Sequence, residues 1–143
     1  MKNLLTKSLV LICIFLLTSC SMKDEVSYSR IAYNKEYAIP VRYSVTTIDN
    51  KYTLRFDSVL EDSRCPEGLV CIWSGVAAVK FSVTEGNSAK TTVKLYTLNN
   101  SSWSDSVVYK DIKIKLLRLA PYPSLYTKYS YSAYEATIKL TKN

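Results

Sequence analysis

Apolar and polar residues alternate with a period of two along most of the chain. Tyr52, Leu54 and Phe56 form one such run, followed by Val79, Phe81 and Val83, then Val93 and Leu95, then Ile112, Ile114 and Leu116, and last Tyr134, Ala136, Ile138 and Leu140. Residues two apart share one face of an extended strand, so each run predicts a strand with one buried face. A helical period of 3.6 does not recur. Asp49-Asn50 separates a strand ending near Ile48 from one starting at Tyr52, and Glu85-Gly86-Asn87-Ser88 separates Val83 from Thr91. Both breaks predict hairpins. Further strands around Tyr28 to Tyr33 and Arg42 to Ile48 bring the count to about seven, enough for two sheets packed face to face. The predicted fold is all-β, a single antiparallel, Ig-like β-sandwich, with a small β-barrel as the alternative.

Composition supports strands over helices. The chain holds 12 Tyr, many Val, Ile and Thr, and only 3 Gly and 4 Pro; aromatic and β-branched side chains suit a pleated, half-buried surface. Its 143 residues, 48% hydrophobic and 22% charged, fit one globular domain. At that size folding buries roughly two thirds of the chain's surface, so a core is feasible without a metal.

The first residues break the pattern. Lys2 and Lys7 precede nine unbroken apolar residues, Leu9 to Leu17, the layout of a secretory signal peptide. As a helix this run covers about 14 Å, against roughly 30 Å of bilayer hydrocarbon, so a permanent span is not predicted. The run closes on Leu17-Thr18-Ser19-Cys20, which resembles the bacterial lipobox, where the cysteine thiol is diacylated and the chain is cut before it. An ordinary signal peptide that happens to hold a cysteine, or a short buried helix, is the alternative. The expected organisation is a lipoprotein signal peptide over residues 1–19, a lipidated tether over 20–29 beginning at Cys20, and a β-sandwich domain over 30–143. Ser21 stands where an inner-membrane retention signal would carry Asp, which favours outer-membrane delivery. Lys23-Asp24-Glu25 resembles the surface-export signal of bacteroidete-type lipoproteins; a merely solvated tether is the alternative.

The formal net charge is +7, and loss of Lys2 and Lys7 with the leader leaves +5. Lys110, Lys113, Lys115 and Arg118 cluster, with alternation that puts several on one strand face, toward water or an acidic surface. Export makes nucleic acid an unsuitable partner.

Two cysteines remain, in Glu61-Asp62-Ser63-Arg64-Cys65-Pro66-Glu67-Gly68-Leu69-Val70-Cys71-Ile72-Trp73-Ser74-Gly75. In an oxidising compartment an even pair in one short loop reads as a disulfide, Cys65 to Cys71. The five-residue gap differs from the two-residue spacing of redox motifs and zinc knuckles, and no metal site is predicted. Pro66 fixes one backbone angle and Gly68 permits a tight reversal, so the loop is constrained before the disulfide forms. Asp62, Arg64 and Trp73 are the candidate partner-binding residues of this loop. The alternative makes Asp62 and Arg64 a local salt bridge and Trp73 part of the core.

Asp62-Ser63-Arg64-Cys65-Pro66, then Val70-Cys71-Ile72-Trp73, Gly75, Ala77-x-Val79, Leu117-x-Leu119, Ala120-Pro121-Tyr122-Pro123 and a closing Tyr134-x-Ala136 strand together resemble a family of small uncharacterised bacterial lipoproteins of the bacteroidete type. The resemblance covers most of the domain. It implies an exported β domain with a Cys65 to Cys71 staple, and brings no activity, substrate or catalytic residue.

The chain contains no histidine, so Ser-His-Asp and Cys-His relays and His-ligated zinc are excluded. Asp57, Glu61, Asp62 and Glu67 offer oxygen ligands but lack the spacing of a calcium loop. Tyr122, Tyr126, Tyr129, Tyr131 and Tyr134 crowd a segment that resembles an adaptable binding surface, or strand positions on a half-buried sheet. The expected function is that of a lipid-anchored cell-envelope protein, an outer-membrane lipoprotein facing outward, acting as a non-enzymatic binding or accessory domain. It needs no cofactor, holds the membrane through lipid on Cys20, and meets an envelope protein or glycan. Inhibition of an envelope-attacking hydrolase, a protease or lysozyme, is the alternative; a glycan-active enzyme would need two carboxyl groups facing across a cleft.

Overall fold

The computed structural model describes residues 29–143; the predicted signal peptide, the acylation site Cys20 and nearly all of the tether lie outside the described residues. Nine strands form in chain order: β1 (Ser29–Ile31), β2 (Glu36–Pro40), β3 (Ser44–Thr47), β4 (Tyr52–Asp62), β5 (Ala77–Glu85), β6 (Thr91–Tyr96), β7 (Ser106–Tyr109), β8 (Ile112–Ala120) and β9 (Glu135–Lys142). One sheet has the order β1-β3-β4-β5-β6 and the other β2-β9-β8-β7. The fold is a β-sandwich of two separate sheets, not a closed barrel.

The alternating runs bury the faces their period predicts. Tyr52, Leu54 and Phe56 from β4 and Phe81 and Val83 from β5 are fully buried, against Ile112 and Ile114 from β8 and Ile138 and Leu140 from β9. Phe56 and Phe81 stack with ring centroids 5.1 Å apart. Each such side chain contributes about 1.5–3 kcal/mol relative to leaving it in water. Both predicted hairpins form, with Asn50 at φ 55° in the first and Gly86 at φ 51° in the second.

Two differences from the sequence reading are physical. The strands number nine, because β2 and β7 are short edge strands of the smaller sheet that alternation and turn residues do not announce. The β7–β8 reversal runs through Lys110-Asp111, with Lys110 at φ 54° and no Gly or Asn to mark it. The sheets are also not wholly antiparallel: β1 pairs parallel with β3, because β2 crosses to the other sheet between them. Strands β3 to β6 follow one another as a meander within one sheet, where an immunoglobulin domain divides consecutive strands between two.

Strand directions sort the connections into two poles. Residues 32–35, 48–51, 86–90 and 110–111 turn at one end; residues 41–43, 63–76, 97–105 and 121–134 connect strands at the other. The short-turn pole is a lattice of charge. Lys51 Nζ donates to both carboxylate oxygens of Asp111 at 3.0 and 2.9 Å and lies 3.6 Å from Glu85. Lys110 pairs with Glu85, Lys142 lies 3.3 Å from Asp49, and Thr47 Oγ1 donates to Asp49 Oδ1 at 2.6 Å. The Tyr52 hydroxyl donates to Asp111. That bond, with the Lys51 ammonium, holds the Asp111 carboxyl down at about 2, and burial pushes the Tyr52 phenol up. Lys51 and Tyr52 belong to one sheet and Asp111 to the β7–β8 turn of the other, so this network clamps the sheets together.

Candidate functional site

The opposite pole is dominated by residues 63–76, the connection from β4 to β5. Its neck is closed by backbone and hydroxyl bonds: the Ser63 N–H donates to Val76 O at 2.9 Å, while Ser63 Oγ donates to the same carbonyl at 2.8 Å and accepts from the Val76 N–H at 3.2 Å. Gly75 sits where an added Cβ would lie 1.6 Å from Ser63 O, so the two arms approach closely only because this residue has no side chain. Beyond the neck the Cys65–Cys71 disulfide, with Cα atoms 5.9 Å apart, closes the tip a second time. Gly68, at φ +92°, lies under the Tyr126 ring, where a Cβ would come within 2.7 Å of Cε2. The tip is also tied sideways: the Glu67 N–H donates to Pro123 O at 2.9 Å and Glu67 O accepts from the Leu125 N–H at 3.3 Å.

Asp62 and Arg64 hold this loop to the other sheet. Their side chains are 9% and 7% exposed and meet in two bonds, Nε to Oδ1 at 2.8 Å and Nη2 to Oδ2 at 2.7 Å. The remaining donors reach across the sandwich, Nη1 to Leu119 O at 2.6 Å and Nη2 to Pro121 O at 2.9 Å, at the end of β8. The Tyr134 hydroxyl donates to Asp62 Oδ2 at 3.0 Å, and Tyr122 lies with its ring centroid 4.8 Å from the guanidinium carbon. Burial, followed by the Asp62 charge, raises the Tyr134 phenol above its ordinary value. A buried ion pair with its hydrogen bonds satisfied positions rather than recognises. Arg64 is the bolt between the stapled loop and the β8 terminus.

What the loop presents to solvent is apolar. Val70 and Ile72 are 101% and 95% exposed, and Trp73 and Leu69 are 64% and 50% exposed. Trp73 therefore lies outside the core, over an open cleft of about 710 Å³ whose walls include Leu98, Leu117, Arg118 and Tyr122. A bulge in β8 between Leu116 and Arg118 shapes the far wall. It adds one residue to the alternation, so Leu117 and Arg118 are both exposed while Leu119 returns to the core. Among the described residues Arg118 has no carboxylate within 4 Å and no acid lines the cleft.

The other predicted features are dispersed. Asp57 accepts from the Ser82 hydroxyl and lies 3.5 Å from Arg55, Glu61 lies 4.0 Å from Lys94, and Asp62 belongs to Arg64. Among the described residues no three Cys, Asp or Glu side chains gather as a metal site. Lys113 and Lys115 share the outer face of β8 as their alternation predicts, with Lys139 of β9 directly opposite Lys115. Tyr129 and Tyr131 fall in a loop and a 3-10 turn rather than a strand. Tyr131 accepts from the Val59 N–H at 2.9 Å, beside an irregularity in the β4–β5 pairing. Sequence reasoning passed over Leu69, Val70, Ile72 and Leu117 as ordinary apolar residues; the available signal for the first three was that, with Trp73, they put four large apolar side chains into five residues of the stapled loop.

Fold and site together define a β-sandwich domain with a stapled, apolar, solvent-facing loop beside a cleft lined mostly by apolar residues. Compared with family models, curated proteins and solved structures, the chain shows no match.

Proposed function

We propose that this protein is a lipid-anchored domain of the bacterial cell envelope, held by acyl chains on Cys20, that acts by contact rather than catalysis. It is a binding or accessory module whose working surface is the stapled loop. The carrying observation is the exposure of Leu69, Val70, Ile72 and Trp73 on a loop closed by a disulfide and bolted by Arg64. Exposed apolar residues scattered singly are ordinary, whereas a contiguous rigid cluster marks a contact surface. The chain's lack of histidine favours contact over a histidine-based hydrolysis. Leu17-Thr18-Ser19-Cys20 supports the anchor, and Lys23-Asp24-Glu25 supports an outward-facing place on the outer membrane.

Fatty-acid labelling tests the anchor: wild type takes up palmitate and fractionates with membranes, and Cys20→Ala loses both. Membrane retention of an unlabelled Cys20→Ala protein would overturn anchoring. A photo-crosslinking side chain tests the surface, capturing neighbours from position 72 and none from position 110; equal capture at both overturns the assignment of the loop. Inhibition of an envelope-attacking hydrolase is a second reading, favoured by the near-complete exposure of Val70 and Ile72 on a disulfide-closed loop. It requires the purified protein to inhibit a protease or lysozyme, and Ile72→Ala to abolish that inhibition.

A further inference from the structure

The direction of β1 says where the stapled loop stands relative to the anchor. Strand β4 runs from the short-turn pole at Tyr52 to the stapled loop at Asp62. Strand β3 runs antiparallel to it, and β1 parallel to β3. The chain preceding Ser29 therefore approaches from the side of the stapled loop. Ser29 is level with Val45, and Val45 with Leu54. From Leu54 to Asp62 along β4 is about 26 Å at strand rise, with the loop tip further on. The chain from Cys20 to Ser29 reaches about 30 Å at full extension. Anchor and loop tip can thus share a plane only with the tether near full extension and the sandwich tilted toward its β1 edge.

The tip's chemistry suits the boundary layer of that plane. Val70 and Ile72 project uncovered among the described residues, and the same pole exposes Trp73 beside them, Tyr126 over Gly68 and Tyr122 on the cleft wall, rings that have an apolar body and a polar edge. Such side chains favour the headgroup level of a bilayer. Lysine and arginine are absent from the tip between Cys65 and Ser74, where Glu67 is the one charged residue. Cations lie behind it instead: Arg118 on the cleft wall, then Lys115 and Lys139 facing each other on the outer sheet. Lys115 is itself paired with Asp105 at 3.4 Å, so Arg118 is the cation nearest the tip that stands ready for an anionic headgroup.

We propose that the stapled loop is a second, protein-made membrane contact, in which Leu69, Val70, Ile72 and Trp73 enter the interfacial layer of the leaflet that holds the acyl chains on Cys20. This inference rests on the anchoring proposed above. Two contacts orient the domain, with the charged pole pointing away from the lipid, where one flexible anchor would let it tumble.

The test uses the full chain, isolated from membranes and reconstituted in vesicles of phosphatidylethanolamine and phosphatidylglycerol. The chain has two Trp, so Trp103→Phe leaves Trp73 as the reporter. Brominated acyl chains are expected to quench Trp73 emission severalfold more strongly than aqueous iodide does, and Val70→Ser with Ile72→Ser is expected to reverse that order. Both substituted positions are fully exposed, so folding is preserved. Quenching by iodide alone would overturn the proposal. Shielding from both quenchers would put a protein on the loop and also overturn it. Mass spectrometry of Cys20 reads the anchor separately: an unacylated chain whose Trp73 is still quenched by bromolipid would overturn the anchor and leave the insertion standing.

Discussion

The two poles of the sandwich solve the ends of the same strands in opposite ways. At the short-turn pole, Lys51, Glu85, Lys110, Asp111, Asp49 and Lys142 pair with one another, and Tyr52 and Thr47 bond to the carboxylates. At the long-loop pole the buried charges are one pair, Asp62–Arg64, Glu67 and Arg118 stand apart from it, and large apolar side chains face water. A pole satisfied by its own partners has nothing left to offer a ligand. The stapled pole carries an exposed apolar surface on a loop closed by a disulfide, which is the arrangement the proposed contact needs.

Substitutions rank the two poles by their dependence on single interactions. Arg64→Ala leaves Asp62 buried without its cation, and should lower unfolding free energy by about 3–5 kcal/mol in urea titration. A loss under about 1 kcal/mol would mean the bolt carries little of the pole's order. Gly75→Ala forces the loop neck apart at Ser63, with an expected cost of about 1–3 kcal/mol and faster amide exchange at Ser63 and Val76. Replacing Cys65 and Cys71 together by Ser should cost about 2–3 kcal/mol, the unfolded-state entropy of so short a closed loop. Ile72→Ala, almost fully exposed, should change stability by less than about 0.5 kcal/mol while abolishing capture by a photo-crosslinking side chain placed at position 70, which separates contact from folding.

Acid sharpens the comparison from the other side. Asp111 is held at about 2 against an ordinary 3.8, so its contribution is complete above the ordinary value and is lost as pH falls through about 2. Asp49 and Glu85 are displaced in the same direction, by the Thr47 hydroxyl and the Lys110 ammonium first of all. Stability should therefore decline between pH 4 and 2, with amide protection at residues 48–51 and 110–111 falling before that of the stapled loop. Asp111→Asn should flatten the decline. Simultaneous loss at both poles would show that the short-turn network is not an independent clamp.

Much of the fold is legible because strand burial is a local property. Tyr52-x-Leu54-x-Phe56 and Ile112-x-Ile114-x-Leu116 announce their buried faces two residues at a time, and Asp49-Asn50 and Glu85-Gly86-Asn87-Ser88 supply the turns. The pairing of Cys65 with Cys71 is likewise within reach of spacing alone. Strands β2 and β7 are not, since each is four or five residues long at a sheet edge, with little alternation to register. The site was legible as a segment but not in its roles. Asp62, Arg64 and Trp73 were candidates for partner contact, yet Asp62 and Arg64 turn inward to the β8 terminus and Trp73 turns outward.

The sequence by itself determined that the chain is all-β, where seven of the nine described strands lie, and that one loop is stapled, because periodicity, turn residues and cysteine spacing act over a few neighbouring residues. Only the tertiary structure decided which sheet each strand joins, that β1 lies parallel to β3, and that Leu119 O and Pro121 O are the acceptors that draw Arg64 inside. It alone decided that Val70, Ile72 and Trp73 stay in solvent. Burial depends on what the rest of the chain brings to a position, and nothing in residues 63–76 specifies how the end of β8 will meet them.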